Sequence, residues 1–283
     1  MRKGKRIGYA LLSLSPLLMM LLLQVLGVQV FYTVITAYVS MKPGIDPALI
    51  DEIAYTYYVE HTVGFLVLIQ ILTLLVFACW YYLGFVRRKV RAASKNIFSF
   101  RSLAGTFLLS QGMYFFITLF LAAADYLVPD IMAEYNMLME DSGIGSLTLL
   151  STIATLVLAP LSEELIFRGL TLHYLKKTGI GFWAANLIQA ALFGIAHLNL
   201  IQGIYAFLLG LVLGCLYKYF KSLAMPMLFH MFFNFSGTYL ASLLEPIPET
   251  IWLYLFLTAA CIILFFLGVK LLGKKSCPTG EQI

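Results

Sequence analysis

Eight apolar runs follow one another along the chain, near residues 8–36, 62–86, 103–128, 146–166, 182–197, 202–219, 223–243 and 250–271. Several exceed the roughly 20 residues that an α-helix needs to cross the hydrocarbon core of a bilayer. Read by hydropathy, the pattern predicts an all-α, polytopic membrane protein of about eight transmembrane helices. The first run follows a basic start, "MRKGKR", as a signal peptide would. It is too long for one and lacks a small-x-small cleavage site, so an uncleaved first helix is expected. Between the runs, residues 41–61 are expected to form a short interfacial helix after Pro47, and 129–145 a polar, acidic loop.

Charge placement sets the sidedness. Of 19 Lys and Arg, 18 fall in alternate connections: the N-terminus, 87–101, 168–177, 218–221 and 270–275. The other connections carry Asp46, Asp51, Glu52, Glu60, Asp130, Glu134, Glu140, Asp141, Glu245 and Glu249, with Lys42 as their one basic residue. The positive-inside bias then puts both termini in the cytoplasm, at the cell membrane. An even number of spans agrees.

Composition supports the class. The chain is 61% apolar and 12% charged, far from a soluble domain. Its net charge of +5 is explained by cytoplasmic loops beside anionic lipid, so no nucleic-acid partner is expected. The run "RRKVRAASK" (87–95) reads as topogenic charge. Cys79, Cys215, Cys261 and Cys277 have no metal-type spacing, and Cys277 stands too far from the end for a prenylation box. Polar groups inside spans are sparse in 1–140 and gather in 145–240, which suggests three parts: 1–140, a core at 141–245, and a last helix with a basic tail at 246–283.

Ionisable residues inside spans cost on the order of 2.5–3.5 kcal/mol each on insertion scales and are kept where they pair or act. Four sets stand out: "SEELIFR" (162–168), "FGIAH" (193–197), "HMFFN" (230–234), and more weakly Asn186 with Gln189. Glu164 and Arg168 are i and i+4 in the favourable order, so they can pair with no chemistry implied. Glu163 points about 100° away and has no local cation. An acid in such surroundings suits a general base. The competing reading makes all three charges a cytoplasmic helix end.

A lone histidine on an apolar helix is usually a satisfied core group. Two of them, His197 and His230, the second followed one turn later by Asn234, form a different set when a free glutamate lies in the same half of the chain. Histidine relays protons, and amide or imidazole N–H groups donate to a developing oxyanion. Glu163, His197, His230 and Asn234 could activate water against a carbonyl.

"EELIFR", "FGIAH" and "HMFFN" resemble, in order and spacing, the three motifs of the CAAX prenyl protease type II and bacteriocin-processing family of intramembrane proteases. The resemblance spans about 145–240. It implies peptide-bond hydrolysis within the membrane, on a peptide or lipidated-peptide substrate. Carried over residue by residue, Glu163 and His197 would activate the water, and His230 and Asn234 would stabilise the oxyanion. Glu164, Arg168 and Phe193 would support the site.

Two matters stay open at this level. A Glu163, His197, His230 trio could hold Zn²⁺ with one open position, but its histidines come from different helices, unlike the pair in HExxH. A metal-free glutamate mechanism is favoured. Depth is the second matter. Simple counting puts Glu163 near the cytoplasmic end of its span, His230 near the middle and His197 near the far side. They meet if the fourth helix runs on to about Lys176 and the helix at 182–197 stops short, around a catalytic cavity within the bundle that opens to the cytoplasm or laterally to lipid. A catalytically silent immunity or scaffold protein is the alternative. A proton-coupled transporter is a third reading, disfavoured because no inverted repeat is visible.

Overall fold

A computed structural model describes residues 3–86, 97–141, 148–244, 247–248 and 250–273 of the chain. The basic run 87–95 and the tail with Cys277 lie outside the described residues. Every described element is helical. We number them α1 (Lys3–Ser40), α2 (Ile50–Tyr81, prolonged by a π turn Tyr82–Val86), α3 (Phe100–Leu127) and α4 (Pro129–Asp141). Then come α5 (Leu149–Lys177), α6 (Phe182–Ile195) and α7 (Leu200–Phe220). The last two are α8 (Ala224–Phe235, continued through a π turn Ser236–Leu240 to Leu244) and α9 (Ile251–Gly273).

Among the described residues, six helices are long and apolar enough to cross a membrane: α1, α2, α3, α5, α7 and α9. The protein is a multi-pass, all-helical membrane protein. Of the other two expected spans, α6 has 14 residues, about 21 Å at 1.5 Å each against a core of about 30 Å. The run at 223–243 is a 12-residue α-helix that widens into a π turn after Phe235.

Two connections differ from expectation. The segment after Pro47 is no separate interfacial helix: a 3₁₀ turn, Pro47–Leu49, capped by Asp46 Oδ1 on Ala48 N at 2.9 Å, leads straight into α2. The acidic "loop" at 129–145 is α4 as far as Asp141. Pro129 starts it with a preset φ, and Asp130 sits favourably in its first turn. Met132 and Tyr135 bury against Ala124 of α3 and Ile201 of α7, which outweighs the polar composition of the other face.

Small residues let the helices approach where lipid offers no hydrophobic drive between them. Helices α3 and α9 run antiparallel along a seam of Gly105, Gly112 and Gly268. A Cβ at Gly268 would lie 2.7 Å from Leu109 N, and one at Gly112 would lie 2.8 Å from Phe265 N. Helices α6 and α7 form a second antiparallel pair, with Gly194 on Gly203 and Gly210 on Ala190. One core cluster joins α1, α2, α3, α5, α6, α7 and α8.

The basic groups gather at one end of this bundle. Arg6 Nε donates to Thr178 O at 2.7 Å, and Lys177 lies over the rings of Tyr9 and Phe85. Lys218 lies over Phe182 and Trp183, and the Tyr219 hydroxyl donates to Leu272 O near Lys270. The α1–α2 turn, with Lys42, Asp46, Asp51 and Glu52, is at the opposite end.

Candidate active site

The site is built on the middle of α5. Glu163 lies 14 residues from both Leu149 and Lys177, so it is about 21 Å from either end of the rod. The helix thus runs on past the hydropathy boundary at 166, and α6 ends at Ile195. Both departures ease the depth conflict for Glu163 and His230, which stand 3.7 Å apart. Two π segments, Ala154–Leu158 and Leu165–Thr171, flank the glutamates and widen the helix. Such π turns inside α-helices often accompany functional sites.

Arg168 is not a loop cation: it is fully buried in α5, as is Glu164. Its Nη1 donates to Glu164 Oε1 at 2.9 Å, and its Nη2 to the Gly210 carbonyl at 3.2 Å. Burial without a partner would be prohibitive for either charge, and the i,i+4 spacing supplies one. The grouping of Arg168 with the basic loops is corrected accordingly.

His230 of α8 reaches both glutamates. Its Nδ1 is 3.1 Å from Glu164 Oε1. An ionised carboxylate only accepts, so Nδ1 carries the proton of that contact. Its Nε2 faces Glu163 Oε2 at 3.7 Å, within ion-pair reach but too long for a direct hydrogen bond. Glu163 is 23% exposed where Glu164 is sealed. Among the imidazoles, His230 rather than His197 stands within ion-pair reach of Glu163.

His197 follows the end of α6. Its Nδ1 donates to Phe193 O at 2.8 Å, leaving Nε2 bare in the neutral ring. The next residue, Leu198, has φ +53°, a left-handed backbone that costs about 1–2 kcal/mol for a side chain of this kind. The chain turns there, and Asn199 caps α7 by accepting from Gln202 N at 3.0 Å.

Phe193 is the hub of the site. Its ring meets His197 edge-on at 5.0 Å, His230 at 5.9 Å and Phe167 at 4.9 Å between centroids. The Arg168 guanidinium carbon stands 4.6 Å above it. Asn234, one turn beyond His230, donates one amide N–H to Thr155 O at 2.9 Å, which ties α8 to the first π segment of α5 and leaves the second N–H. Sequence reasoning missed Thr155 and Gly210 because both act through backbone carbonyls. For Gly210 the GxxxG pair Gly210/Gly214 was the available signal.

Of the donors named for zinc, His230 Nε2 and Glu163 Oε2 are 3.7 Å apart; among the described residues no group of three His, Cys, Asp or Glu side chains that could hold a metal is found. A groove of about 430 Å³ opens on the α6–α7 face, lined by Gly194, Ile195, Leu198, Gly203 and Phe207 among others. Glu163, His197, His230 and Asn234 do not line it.

A helical membrane bundle that gathers Glu163, Glu164, Arg168 and His230, with His197 against the shared Phe193 ring, holds a polar cluster inside an apolar body. Residues 145–236, about a third of the chain, match the family model described as type II CAAX prenyl endopeptidase Rce1-like. All three motifs fall within the match, which bears out the resemblance they carry. No curated protein and no solved structure matches the chain.

Proposed function

We propose that the chain is an intramembrane endopeptidase that hydrolyses a peptide bond of a membrane-associated or lipidated peptide with water activated at Glu163. The observation that carries this reading is the contrast between the two glutamates: Glu164 is sealed and paired with Arg168, while Glu163 is open and faces His230 Nε2 at 3.7 Å.

Glu163 takes a proton from a water molecule as its oxygen attacks the scissile carbonyl, with the bare Nε2 of His197 as second acceptor. With both ring nitrogens of His230 carrying protons, Nε2–H and the free N–H of Asn234 donate to the oxyanion. Collapse breaks the C–N bond, and the proton held by Glu163 passes to the leaving amine. No step needs a metal, and the reading is metal-free.

The segregation of Arg6, Lys177, Lys218 and Lys270 from the acidic end supports cytoplasmic termini at the cell membrane. Eight crossings are kept if α6 and α8 cross within the bundle. In the same reading 141–245 is the catalytic core, and water enters from the basic end. The test is a comparison of the peptides in membranes of cells carrying the wild type or Glu163→Gln. Substrates accumulate uncut in the variant; identical peptide profiles overturn the proposal.

A further inference from the structure

Asn186 and Gln189 belong to none of the three motifs, yet they are 1% and 0% exposed in the middle of an apolar helix. Buried amides are kept where their hydrogen bonds are satisfied. Gln189 Nε2 donates to Asn186 Oδ1 at 2.8 Å and to Gly210 O at 2.9 Å. Asn186 Nδ2 donates to Leu211 O at 3.0 Å. Both side chains therefore grip the backbone of α7 through carbonyls in the middle of a helix.

Glycine makes that grip possible. A Cβ at Gly214 would collide with Asn186 Oδ1, and one at Gly210 would lie 3.1 Å from Ala190 Cα and 3.2 Å from Phe193 Cδ1. The same Gly210 oxygen accepts from Arg168 Nη2 at 3.2 Å. One carbonyl thus joins the amide of α6 to the guanidinium of α5. From there the contacts continue to Glu164 and on to His230 Nδ1.

The register of α6 adds a second link. Gln189 and Phe193 are i and i+4 on one stripe of α6, and His197 follows four residues later in the turn past the helix end. Fixing Gln189 against α7 sets the depth of the Phe193 ring under Arg168 and of the carbonyl that holds His197 Nδ1. Gln189 Oε1 and Arg168 Nε, an acceptor and a donor on this same node, have no hydrogen-bond partner among the described residues.

We infer that Gln189, with Asn186 behind it, is a positioning residue that acts through the Gly210 carbonyl to hold Arg168, and through Arg168 the contact between Glu164 and His230. Its kinetic consequence rests on the peptidase reading; its structural consequence does not.

The test uses the full chain in lipid nanodiscs, with Gln189→Met, which keeps the length of the side chain and removes both donor and acceptor. With ¹⁵N-labelled histidine at one fixed pH, the ring-nitrogen signals of His230 move, while those of His61 at the far end of α2 stay. On a peptide whose cleavage Glu163→Gln abolishes, kcat falls about tenfold with KM within about twofold. In an Arg168→Lys background Gln189→Met then adds under about twofold, because both act on one node. His230 signals that stay in place, or losses that multiply in the double variant, overturn the inference. If Glu163→Gln affects no cleavage, the peptidase reading fails and the His230 signals alone decide. Should Gln189→Met not fold, Gln189→Asn, one methylene short of Gly210, enters the same measurements with the same expectations.

Discussion

His230 Nδ1 lies 3.1 Å from Glu164 Oε1, so the glutamate that neutralises Arg168 also fixes which nitrogen of the imidazole is turned away from the open carboxylate. The sealed ion pair is therefore part of how the site is oriented.

That pair predicts an asymmetric mutational response. Arg168→Met leaves Glu164 buried with its cation gone, and Glu164→Gln leaves the guanidinium buried with its anion gone. Each single change lowers stability by about 3–5 kcal/mol, and the double change Glu164→Gln/Arg168→Met recovers much of it. Thermal unfolding in detergent micelles checks the order: both singles below the double.

Asn234 is expected to act on rate rather than on binding. Asn234→Leu removes the amide N–H offered to the oxyanion and lowers kcat about 10²–10³-fold, with KM little changed. The contact with Thr155 O is also lost, so the melting temperature measured alongside falls by only a few degrees.

Much of this was legible in the sequence, because spacing on a single helix is local. Glu164 and Arg168 pair as i,i+4 allows, and α5 runs on to Lys177 while α6 stops at Ile195, as expected on grounds of depth. Contacts between helices were not legible. Nothing in the chain says that His230 bonds Glu164, 66 residues away, or that Asn234 spends an N–H on Thr155. Helix α4 was missed because its burial rests on Met132 and Tyr135 finding α3 and α7, a tertiary reward that polar composition conceals.

The α3–α9 seam predicts that α9 depends on glycine. Gly268→Val forces a side chain toward Leu109 N, where a Cβ alone would come within 2.7 Å. It destabilises by about 1–3 kcal/mol or more. Gly105→Ala meets the flexible end of Leu272 instead, at 2.9 Å, and is expected to be milder. Protease resistance of α9 in membranes ranks the two.

The metal-free reading predicts indifference to chelators. Peptide cleavage by the purified protein persists in EDTA and in 1,10-phenanthroline, and added Zn²⁺ does not raise it. Loss on chelation with recovery by zinc would reassign Glu163, His197 and His230 as ligands.

The most direct measurement of the central claim is cleavage in H₂¹⁸O by the purified protein in nanodiscs, with the products read by mass spectrometry. Hydrolysis by water held at Glu163 places one ¹⁸O in each new C-terminal carboxylate for the wild type, and Glu163→Gln, folded and equally stable, slows product formation by at least about 10²-fold. Products formed at the same rate by Glu163→Gln would contradict the account.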